Sequence, residues 1–237
     1  MKKYHINYAH NGYYNGQKIN SESAISIGGF DKSIPHGLDN IDKEFYEKNK
    51  HILSHRRGAG YWLWKPYIIS KLLNEIEYGD ILCYTDSGSE FIKPAHSIFD
   101  TLEKNDKGIL VFELNSNFVN KDLTKRDCFY YMGLDYEPFV SNIQILASFI
   151  FLKKNIFSMN FISEWLKYSE DYRIITDLPN ECGLKNYEGF VDHRHDQSIF
   201  SLLCRKYNIS TMPDISQYGN DRRGKEHQII NHFRKYR

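Results

Sequence analysis

Short apolar runs alternate with stretches of helical periodicity through the middle of the chain. After Pro66, apolar residues recur at helical spacing, at Ile69, Leu72, Leu73 and Ile76. Proline suits the first turn of a helix and glycine its end, so a helix is predicted from Pro66 until Gly79. Residues 80–84 then form a short apolar run that is typical of a buried strand.

Further segments extend this alternation in both directions. Residues 4–9 predict a first short strand, and a loop should follow it because Asn and Gly are frequent there, at Asn11, Gly12, Asn15 and Gly16. A candidate helix covers residues 41–50, within a mixed stretch. Later helices are predicted at 95–104, 123–132, 157–168 and 196–207, and strands at 109–114 and 145–152.

Alternating helices and strands are typical of a sheet whose two faces are covered. The fold is therefore predicted to be α/β, with a mixed, mainly parallel sheet flanked by helices. No repeat or linker divides the 237 residues, so one domain is predicted over 1–237, ending in a basic tail at about 222–237. Such a tail is usually solvated, but it can also contact an anionic membrane surface or a diphosphate.

Composition narrows the class of function only slightly. The net charge is +1, which favours neither nucleic acid nor an acidic partner. Aromatic residues make up 15% of the chain. Aromatic faces stack on sugar rings and bases, but a core of biased composition explains the same count, and composition alone favours that second explanation.

Other features bear on cellular location. The four cysteines, Cys83, Cys128, Cys182 and Cys204, are too widely spaced for a zinc site and indicate reduced, mostly buried thiols. The N-terminus has no signal-peptide pattern, and the most apolar stretch, 143–152, is shorter than the roughly 20 residues that span a bilayer. We therefore expect a cytoplasmic protein, with the basic tail as a candidate peripheral contact at the inner membrane face.

Asp86 is the first candidate for chemistry. It follows a predicted buried strand, and open α/β sheets bind ligands beyond the carboxyl ends of their strands. Ser87 and Gly88 then form a small turn that lets a ligand approach the backbone. The alternative is an aspartate that caps a helix or bonds within its own loop. The strand-end position favours binding.

A second candidate is the segment 56–66, with the sequence RRGAGYWLWKP. Arg57 and Lys65 suit phosphate oxygens, and the predicted helix start adds a favourable dipole. The segment is not a phosphate-binding P-loop, because the order Gly-Lys-Ser/Thr is absent. Trp62 and Trp64 have the alternative role of anchoring the helix to the core.

The third candidate is a dense ionisable cluster, Asp192-His193-Arg194-His195-Asp196-Gln197, at the start of a helix. Asp196 can cap that helix or act as a general base, and His195 can orient it. Capping needs only one residue, which favours a function for at least one of the cluster. His227 and His232 are five positions apart rather than the four of a helical metal pair, so they do not form such a pair. His232 alone is a candidate metal ligand.

Together these segments resemble a family of small glycosyltransferases with a GT-A, nucleotide-sugar fold, found in bacterial surface-polysaccharide loci and in some large DNA viruses. The resemblance covers most of the chain and rests on three motifs, at 60–66, 84–88 and 193–198. It implies transfer of a hexose or deoxyhexose from a UDP- or GDP-sugar to a hydroxyl of a glycan or lipid-linked glycan. The implied displacement is inverting.

The resemblance also implies roles for particular residues. Asp196 would be the catalytic base, with His195 in support. The donor site would comprise Tyr8, Ala9, Arg57, Trp64, Lys65, Asp86, Ser87 and Gln197. In this fold an Asp-x-Asp motif holds the donor and a divalent cation, Mn²⁺ or Mg²⁺. Here Asp86 matches the first acid, but Gly88 replaces the second, so a metal would need another ligand such as His232.

Two other functions remain open on the sequence alone. One is a metal-dependent phosphoesterase that uses Asp86, Asp192, His193, His195 and Asp196. The other is a carbohydrate- or nucleotide-binding module with a degenerate site, which the missing acid at Gly88 would favour.

Overall fold

The computed structural model describes residues 1–219 and 227–233. Its strands are β1 (Lys3–Tyr8), β2 (Lys32–His36), β3 (Ile81–Thr85), β4 (Ser89–Phe91), β5 (Ile109–Glu113), β6 (Phe149–Lys153), β7 (Thr211–Pro213) and β8 (Ile230–His232). Its helices are α1 (Tyr14–Ser23), α2 (Lys43–Lys48), α3 (Lys50–Leu53), α4 (Gly58–Tyr61), α5 (Trp64–Glu75), α6 (His96–Glu103), α7 (Asn120–Leu123), α8 (Arg126–Tyr131), α9 (Ile156–Ser169), α10 (Tyr172–Ile175) and α11 (His195–Lys206).

Six of these strands form one sheet, in the order β2-β1-β3-β6-β5-β7. Strand β6 is antiparallel to both of its neighbours, and the other five strands run in one direction. Strands β4 and β8 pair separately as an antiparallel ribbon. The predicted α/β fold, with a mixed and mainly parallel sheet flanked by helices, is confirmed.

The central strands are apolar throughout because both of their faces are buried. In β3, Leu82 and Tyr84 pack with the cluster that includes α5, α9 and α11, whereas Ile81 and Cys83 pack with the cluster that includes α6. Strands β5 and β6 alternate between the same two clusters. Successive side chains point to opposite faces of the sheet. Because both faces are buried, each of these strands appears in the sequence as a continuous hydrophobic run.

Most of the predicted elements are present with shifted ends. The helix expected after Pro66 begins two residues earlier, and the strand expected at 145–152 begins only at Phe149, after Ile145 makes an isolated bridge to Glu113. Three of the cysteines are buried, as expected, and Cys182 is half-buried. No described helix has the length and apolar character needed to cross a bilayer. The predicted basic tail lies outside the described residues, except for 227–233.

The predicted loop of Asn and Gly residues after β1 is wrong, because Asn11–Tyr13 form a 3₁₀ turn and Asn15 and Gly16 lie in helix α1. A Cβ atom on Gly16 would lie 2.8 Å from the carbonyl oxygen of Ser87, so a glycine lets this helix approach the end of β3. Asn20 is fully buried and donates to the hydroxyls of Thr85 and Ser89, at 2.9 and 3.2 Å. Tertiary contacts thus outweigh the local preference of Asn and Gly for loops.

The helix predicted over 123–132 is present as α8, but it begins only at Arg126, because a break separates it from α7. Between them Thr124 and Lys125 have extended backbone angles. The Lys125 amide donates to His193 Nδ1 at 3.2 Å, and its ammonium donates to the carbonyl oxygen of Leu178 at 2.8 Å. The break therefore follows from contacts with the distant segment that carries the histidines.

The segment before α5 has an unusual backbone. Five consecutive residues, Gly58 to Trp62, have positive φ values of 57°, 49°, 95°, 53° and 61°, so α4 is a left-handed turn. This conformation costs L-residues other than glycine roughly 1–2 kcal/mol each. It is held in part by the Trp64 indole, which donates to the carbonyl oxygen of Gly58 at 2.9 Å, and by the Tyr61 hydroxyl, which donates to Asp177 at 2.8 Å.

We predict that Gly60→Ala destabilises the protein more than Gly79→Ala does. Both glycines have left-handed φ values, +95° and +87°, so either alanine should cost roughly 1–2 kcal/mol in backbone strain. A Cβ on Gly60 would also lie 2.5 Å from Leu53 Cα, which adds roughly 1–3 kcal/mol of overpacking, whereas a Cβ on Gly79 meets nothing within 4 Å. Urea unfolding measures both losses, and equal losses would contradict the close approach of α4 to α3.

Candidate active site

The carboxyl ends of β1 and β3 lie side by side, because these strands are parallel neighbours. Tyr8 is the last residue of β1, and Asp86 follows the last residue of β3. Two cavities open at this edge, and Trp62 and Asp86 border both of them. Asp86 thus has the strand-end position that the sequence predicts.

The larger cavity has a volume of about 570 Å³. Its aromatic wall is formed by Tyr8 and Trp64, whose rings stack with centroids 3.9 Å apart. The remaining lining residues are His10, Tyr13, Arg56, Gly58, Trp62, Tyr84, Asp86, Ser87, Gly88, His232 and Phe233. A cavity of this size falls in the range that binds small molecules and cofactors.

The smaller cavity has a volume of about 200 Å³. It lies between the start of α5 and the start of α11, and it contains the ionisable cluster found in the sequence. Its lining residues are Arg57, Trp62, Lys65, Asp86, Ser148, Asp192, His193, Arg194, His195, Asp196 and Gln197. Lys65, Asp86 and Arg57 therefore border one cavity.

The central charge of the smaller cavity is the buried ammonium of Lys65. Its Nζ lies 2.8 Å from Asp196 Oδ2 and 3.7 Å from Asp86 Oδ1, and it donates to the carbonyl oxygen of Ala147 at 3.2 Å. The angles between Lys65 Nζ and Asp196 Oδ2 do not fit a hydrogen bond, so this contact is a close ion pair. Lys65 was expected to bind phosphate, but its ammonium is occupied by two carboxylates.

Burial sets the protonation of this cluster. Loss of solvent raises the pKa of Asp196 to about 6, against the opposing effect of Lys65. Burial alone would lower the pKa of Lys65, but the charges of Asp196 and Asp86 outweigh it, so the Lys65 pKa is raised. The lysine is therefore charged at neutral pH. Asp196 is a stronger base than an ordinary carboxylate and is still mostly ionised at pH 7.

The helix-capping alternative for Asp196 is wrong. The N-cap position of α11 is Arg194, and no side chain caps this helix terminus. Asp196 is instead turned towards Lys65, and its side chain is only 5% exposed. Its backbone carbonyl accepts a hydrogen bond from the Trp165 indole at 3.0 Å, which fixes the first turn of α11 against α9.

Arg57 joins two parts of the cavity wall. Its guanidinium binds Asp177 at 2.9 Å and both carboxylate oxygens of Asp192, at 2.9 and 3.1 Å. The expected phosphate-binding cation is therefore already paired. Its neighbour Arg56 borders the larger cavity instead. The sequence prediction names Arg57 and not Arg56, although no pattern in the sequence distinguishes the two residues.

The two histidines of the cluster differ in their partners. His193 accepts at Nδ1 from the Lys125 amide, at 3.2 Å, and donates from Nε2 to the carbonyl oxygen of Ile174, at 2.9 Å. His195 donates from Nδ1 to the carbonyl oxygen of Ile175, at 2.8 Å. Burial lowers the pKa of both, that of His195 to about 4, so both rings are neutral at neutral pH.

The other predicted site residues differ in which of the two cavities they border. Ser87 and His232 border the larger cavity. Gln197 borders the smaller one, but its amide is bonded to the Ala147 amide and to Gln144. Ala9 is buried, donates its amide to the carbonyl oxygen of His36, and lines neither cavity. Tyr84, which the sequence analysis did not identify as a site residue, donates its hydroxyl to Asp86 at 2.7 Å.

A divalent cation would have few protein ligands among the described residues. Across 1–219 and 227–233, no three His, Cys, Asp or Glu side chains gather as metal ligands. Asp86 accepts from Tyr84 and faces the Lys65 ammonium, and Gly88 contributes no ligand. The same result disfavours the metal-dependent phosphoesterase, because Asp192 is paired with Arg57 and both nitrogens of His193 have partners.

No family model and no curated protein sequence matches this chain. Solved glycosyltransferase structures nevertheless share its fold. Mouse xyloside xylosyltransferase 1 has a TM-score of 0.53 and 9% sequence identity, with 99% of this chain and 98% of that chain covered. A glycosyltransferase involved in glycosylation of the major capsid of PBCV-1 has a TM-score of 0.52 and 11% identity, with 98% and 94% covered.

The galactosyltransferase LgtC, solved in complex with donor and acceptor sugar analogues, has a TM-score of 0.50 and 13% identity, with 97% of this chain and 86% of that chain covered. Identities this low establish the fold and nothing more specific. The fold is therefore GT-A-like, as the sequence resemblance implies.

We predict that Lys65→Met destabilises the protein more at pH 8 than at pH 5. The folded-state pKa of Asp196, about 6, lies above its unfolded value of 3.8, so its contribution to stability is greatest below pH 4 and falls as pH rises through 6. Without Lys65, whose charge lowers the Asp196 pKa, that fall should extend to higher pH. Breaking a buried ion pair costs roughly 3–5 kcal/mol, and the full loss should appear only where Asp196 is ionised.

Urea unfolding at the two pH values measures this difference. Lys71→Met is the matched control, because Lys71 pairs with Asp42 at 2.6 Å but both side chains are exposed. The pKa of Asp42 is lowered by its hydrogen bonds with Lys71 and Tyr67, so Asp42 is ionised at both pH 5 and pH 8. This control should therefore lose little stability, and the loss should be equal at the two pH values. An equal loss at pH 5 and pH 8 for Lys65→Met would contradict the coupling of Lys65 to Asp196.

Proposed function

We propose that this protein is a glycosyltransferase that moves a sugar from a nucleoside-diphosphate donor to an acceptor hydroxyl. One observation carries the proposal. A buried carboxylate with a pKa of about 6 lies beside a lysine ammonium in the smaller cavity, at the strand ends of a GT-A-like fold. Carboxylates with raised pKa values are typical of general bases.

The larger cavity is the proposed site of the donor nucleotide, UDP or GDP. The stacked rings of Tyr8 and Trp64 offer an aromatic surface for a base, and Arg56 offers a guanidinium for diphosphate oxygens. The transferred sugar then lies in the smaller cavity. Asp86, which borders both cavities, would be beside the bond that joins diphosphate to sugar.

In the proposed reaction Asp196 takes the proton of the acceptor hydroxyl. The acceptor oxygen forms a bond to the anomeric carbon, and the bond from that carbon to the diphosphate oxygen breaks. The nucleoside diphosphate leaves with the bonding electrons. Lys65 holds Asp196 in place and offsets the negative charge of the two carboxylates, which lets a charged donor approach.

The finer assignments are part of the same proposal. The position of Asp196 at the smaller cavity supports an inverting displacement, in which one base activates the acceptor hydroxyl. A hexose or deoxyhexose is the proposed transferred group. The acceptor is proposed to be a glycan or lipid-linked glycan in surface-polysaccharide synthesis, at the cytoplasmic face of the inner membrane. Binding of Mn²⁺ or Mg²⁺ by Asp86 and His232 stays a prediction. Turnover with and without EDTA tests it.

We predict that Asp196→Asn lowers turnover by roughly 10²–10⁴-fold at saturating donor and acceptor, because an amide cannot accept the hydroxyl proton. Donor affinity should stay near that of the wild type. Wild-type turnover should rise with pH through about 6, as the Asp196 carboxyl loses its proton. Transfer from a panel of UDP- and GDP-sugars measures the rates, and NMR of the product anomeric centre tests inversion.

Asp42→Asn is the control for this substitution. Asp42 is another aspartate paired with a lysine, but it is exposed and lines neither cavity, so its loss should leave turnover unchanged. Circular dichroism should establish that both variants are folded at the assay temperature. Wild-type turnover in a folded Asp196→Asn protein would rule out Asp196 as the base, and donor binding without any transfer would favour the binding module.

A further inference from the structure

His195 is a buried side chain with only one of its two nitrogens bonded. Nδ1 lies 2.8 Å from the carbonyl oxygen of Ile175. A carbonyl only accepts hydrogen bonds, so Nδ1 carries the proton. Because burial lowers the pKa of His195 to about 4, the ring is neutral at pH 7 and Nε2 holds a lone pair of electrons rather than a proton.

Nε2 of His195 has no hydrogen-bond partner among the described residues, although the residue is only 2% exposed. A buried acceptor without a partner is unfavourable, and native proteins seldom leave one. His193, two residues earlier and 1% exposed, has partners for both of its nitrogens. The missing partner is therefore specific to His195, and it is not a general property of this cluster.

The unpaired nitrogen belongs to a ring that borders the smaller cavity and is held firmly in place. The ring stacks on Trp62 with centroids 5.4 Å apart and an interplanar angle of 27°. The cavity volume is about 200 Å³, whereas a water molecule in the liquid occupies roughly 30 Å³. The space is thus larger than a single structural water would need.

The charges of the cavity favour a neutral partner for this nitrogen. Its wall has equal numbers of basic and acidic side chains, namely Arg57, Lys65, Arg194, Asp86, Asp192 and Asp196. Several of these charges already pair with one another. An anion would also be repelled by the lone pair of Nε2. A neutral hydrogen-bond donor can pair with Nε2 without this repulsion, and sugar hydroxyls are donors of this kind.

We propose that His195 Nε2 accepts a hydrogen bond from a hydroxyl group of the sugar bound in the smaller cavity, so that His195 is a specificity-determining residue. This inference rests on the proposed function, which supplies a nucleotide-linked sugar. It adds a requirement that the function alone does not contain. The sugar must carry a free hydroxyl at the position that faces His195.

An NMR titration tests the hydrogen bond without an activity assay. The full chain, labelled with nitrogen-15 in its histidines, is titrated with UDP-glucose, UDP-galactose, GDP-mannose and GDP-fucose, and separately with UDP and GDP. A rise in Tm reports binding of each probe. We expect the Nε2 resonance of His195 to move upfield with at least one nucleotide sugar and to stay in place with UDP and GDP.

His193 is the internal control, because both of its nitrogens already have protein partners and its resonances should not move. His195→Asn assigns the His195 signal. Asparagine tolerates the positive φ of this residue, 51°, and its shorter side chain places no acceptor at the position of Nε2.

Kinetics give a second readout once a donor is found. His195→Asn should lower kcat/KM by roughly 10- to 100-fold for the natural donor, since a bond to a buried acceptor is lost. A donor with the facing hydroxyl replaced by hydrogen should lose a similar factor with the wild type and almost nothing further with the variant. Equal discrimination by both proteins would overturn the assignment.

The outcomes separate the two proposals. If nucleotide sugars raise the Tm but leave the His195 Nε2 resonance where UDP or GDP leaves it, the role of His195 is overturned and the proposed function stands. If no probe raises the Tm, the proposed function is overturned, and this inference with it.

Discussion

The buried ammonium of Lys65 is the constraint on which the rest of this structure depends. Removing an ammonium from water is costly unless opposite charges and hydrogen-bond acceptors surround it. Here Asp196, Asp86 and the carbonyl oxygen of Ala147 do so, within 2.8 to 3.7 Å. Asp196 lies on α11, Asp86 directly follows β3, and Ala147 precedes β6. The lysine at the start of α5 therefore fixes the relative positions of the elements that meet at the candidate site. The same charge lowers the pKa of Asp196, the proposed base.

A second set of buried charges holds the segment between α10 and α11. Asp127 is fully buried and accepts from the backbone amides of Glu181 and Cys182, at 2.9 to 3.1 Å. Its ion-pair partner Lys125, 3.3 Å away, donates to Leu178 in the same segment. Because this segment leads into His193 and His195, its anchoring sets the wall of the smaller cavity. Charges that take no part in the proposed chemistry thus position the groups that do.

The left-handed turn at 58–62 links the two cavities. It places Trp62 on His195 in the smaller cavity and brings Trp64 onto Tyr8 in the larger one. Such a turn is unfavourable for Tyr61 and Trp62 in isolation. Strained backbone of this kind persists only when surrounding contacts determine it, and it is frequent at functional sites. The contacts here are the Tyr61 bond to Asp177 and the stacking of both Trp rings.

The sequence by itself determined the α/β class, the buried strand before Asp86, and the helices that begin near Pro66 and Asp196, because these depend on local periodicity and local turn residues. It also identified the ionisable cluster, since an unusual density of charged residues is visible without coordinates. It did not determine helix α1, the break at Lys125 or the left-handed turn, where distant contacts outweigh local preference. Nor could it separate the paired Arg57 from Arg56, or the half-bonded His195 from the fully bonded His193. Those differences arise from which side chains meet across the fold, and only the tertiary structure decides that.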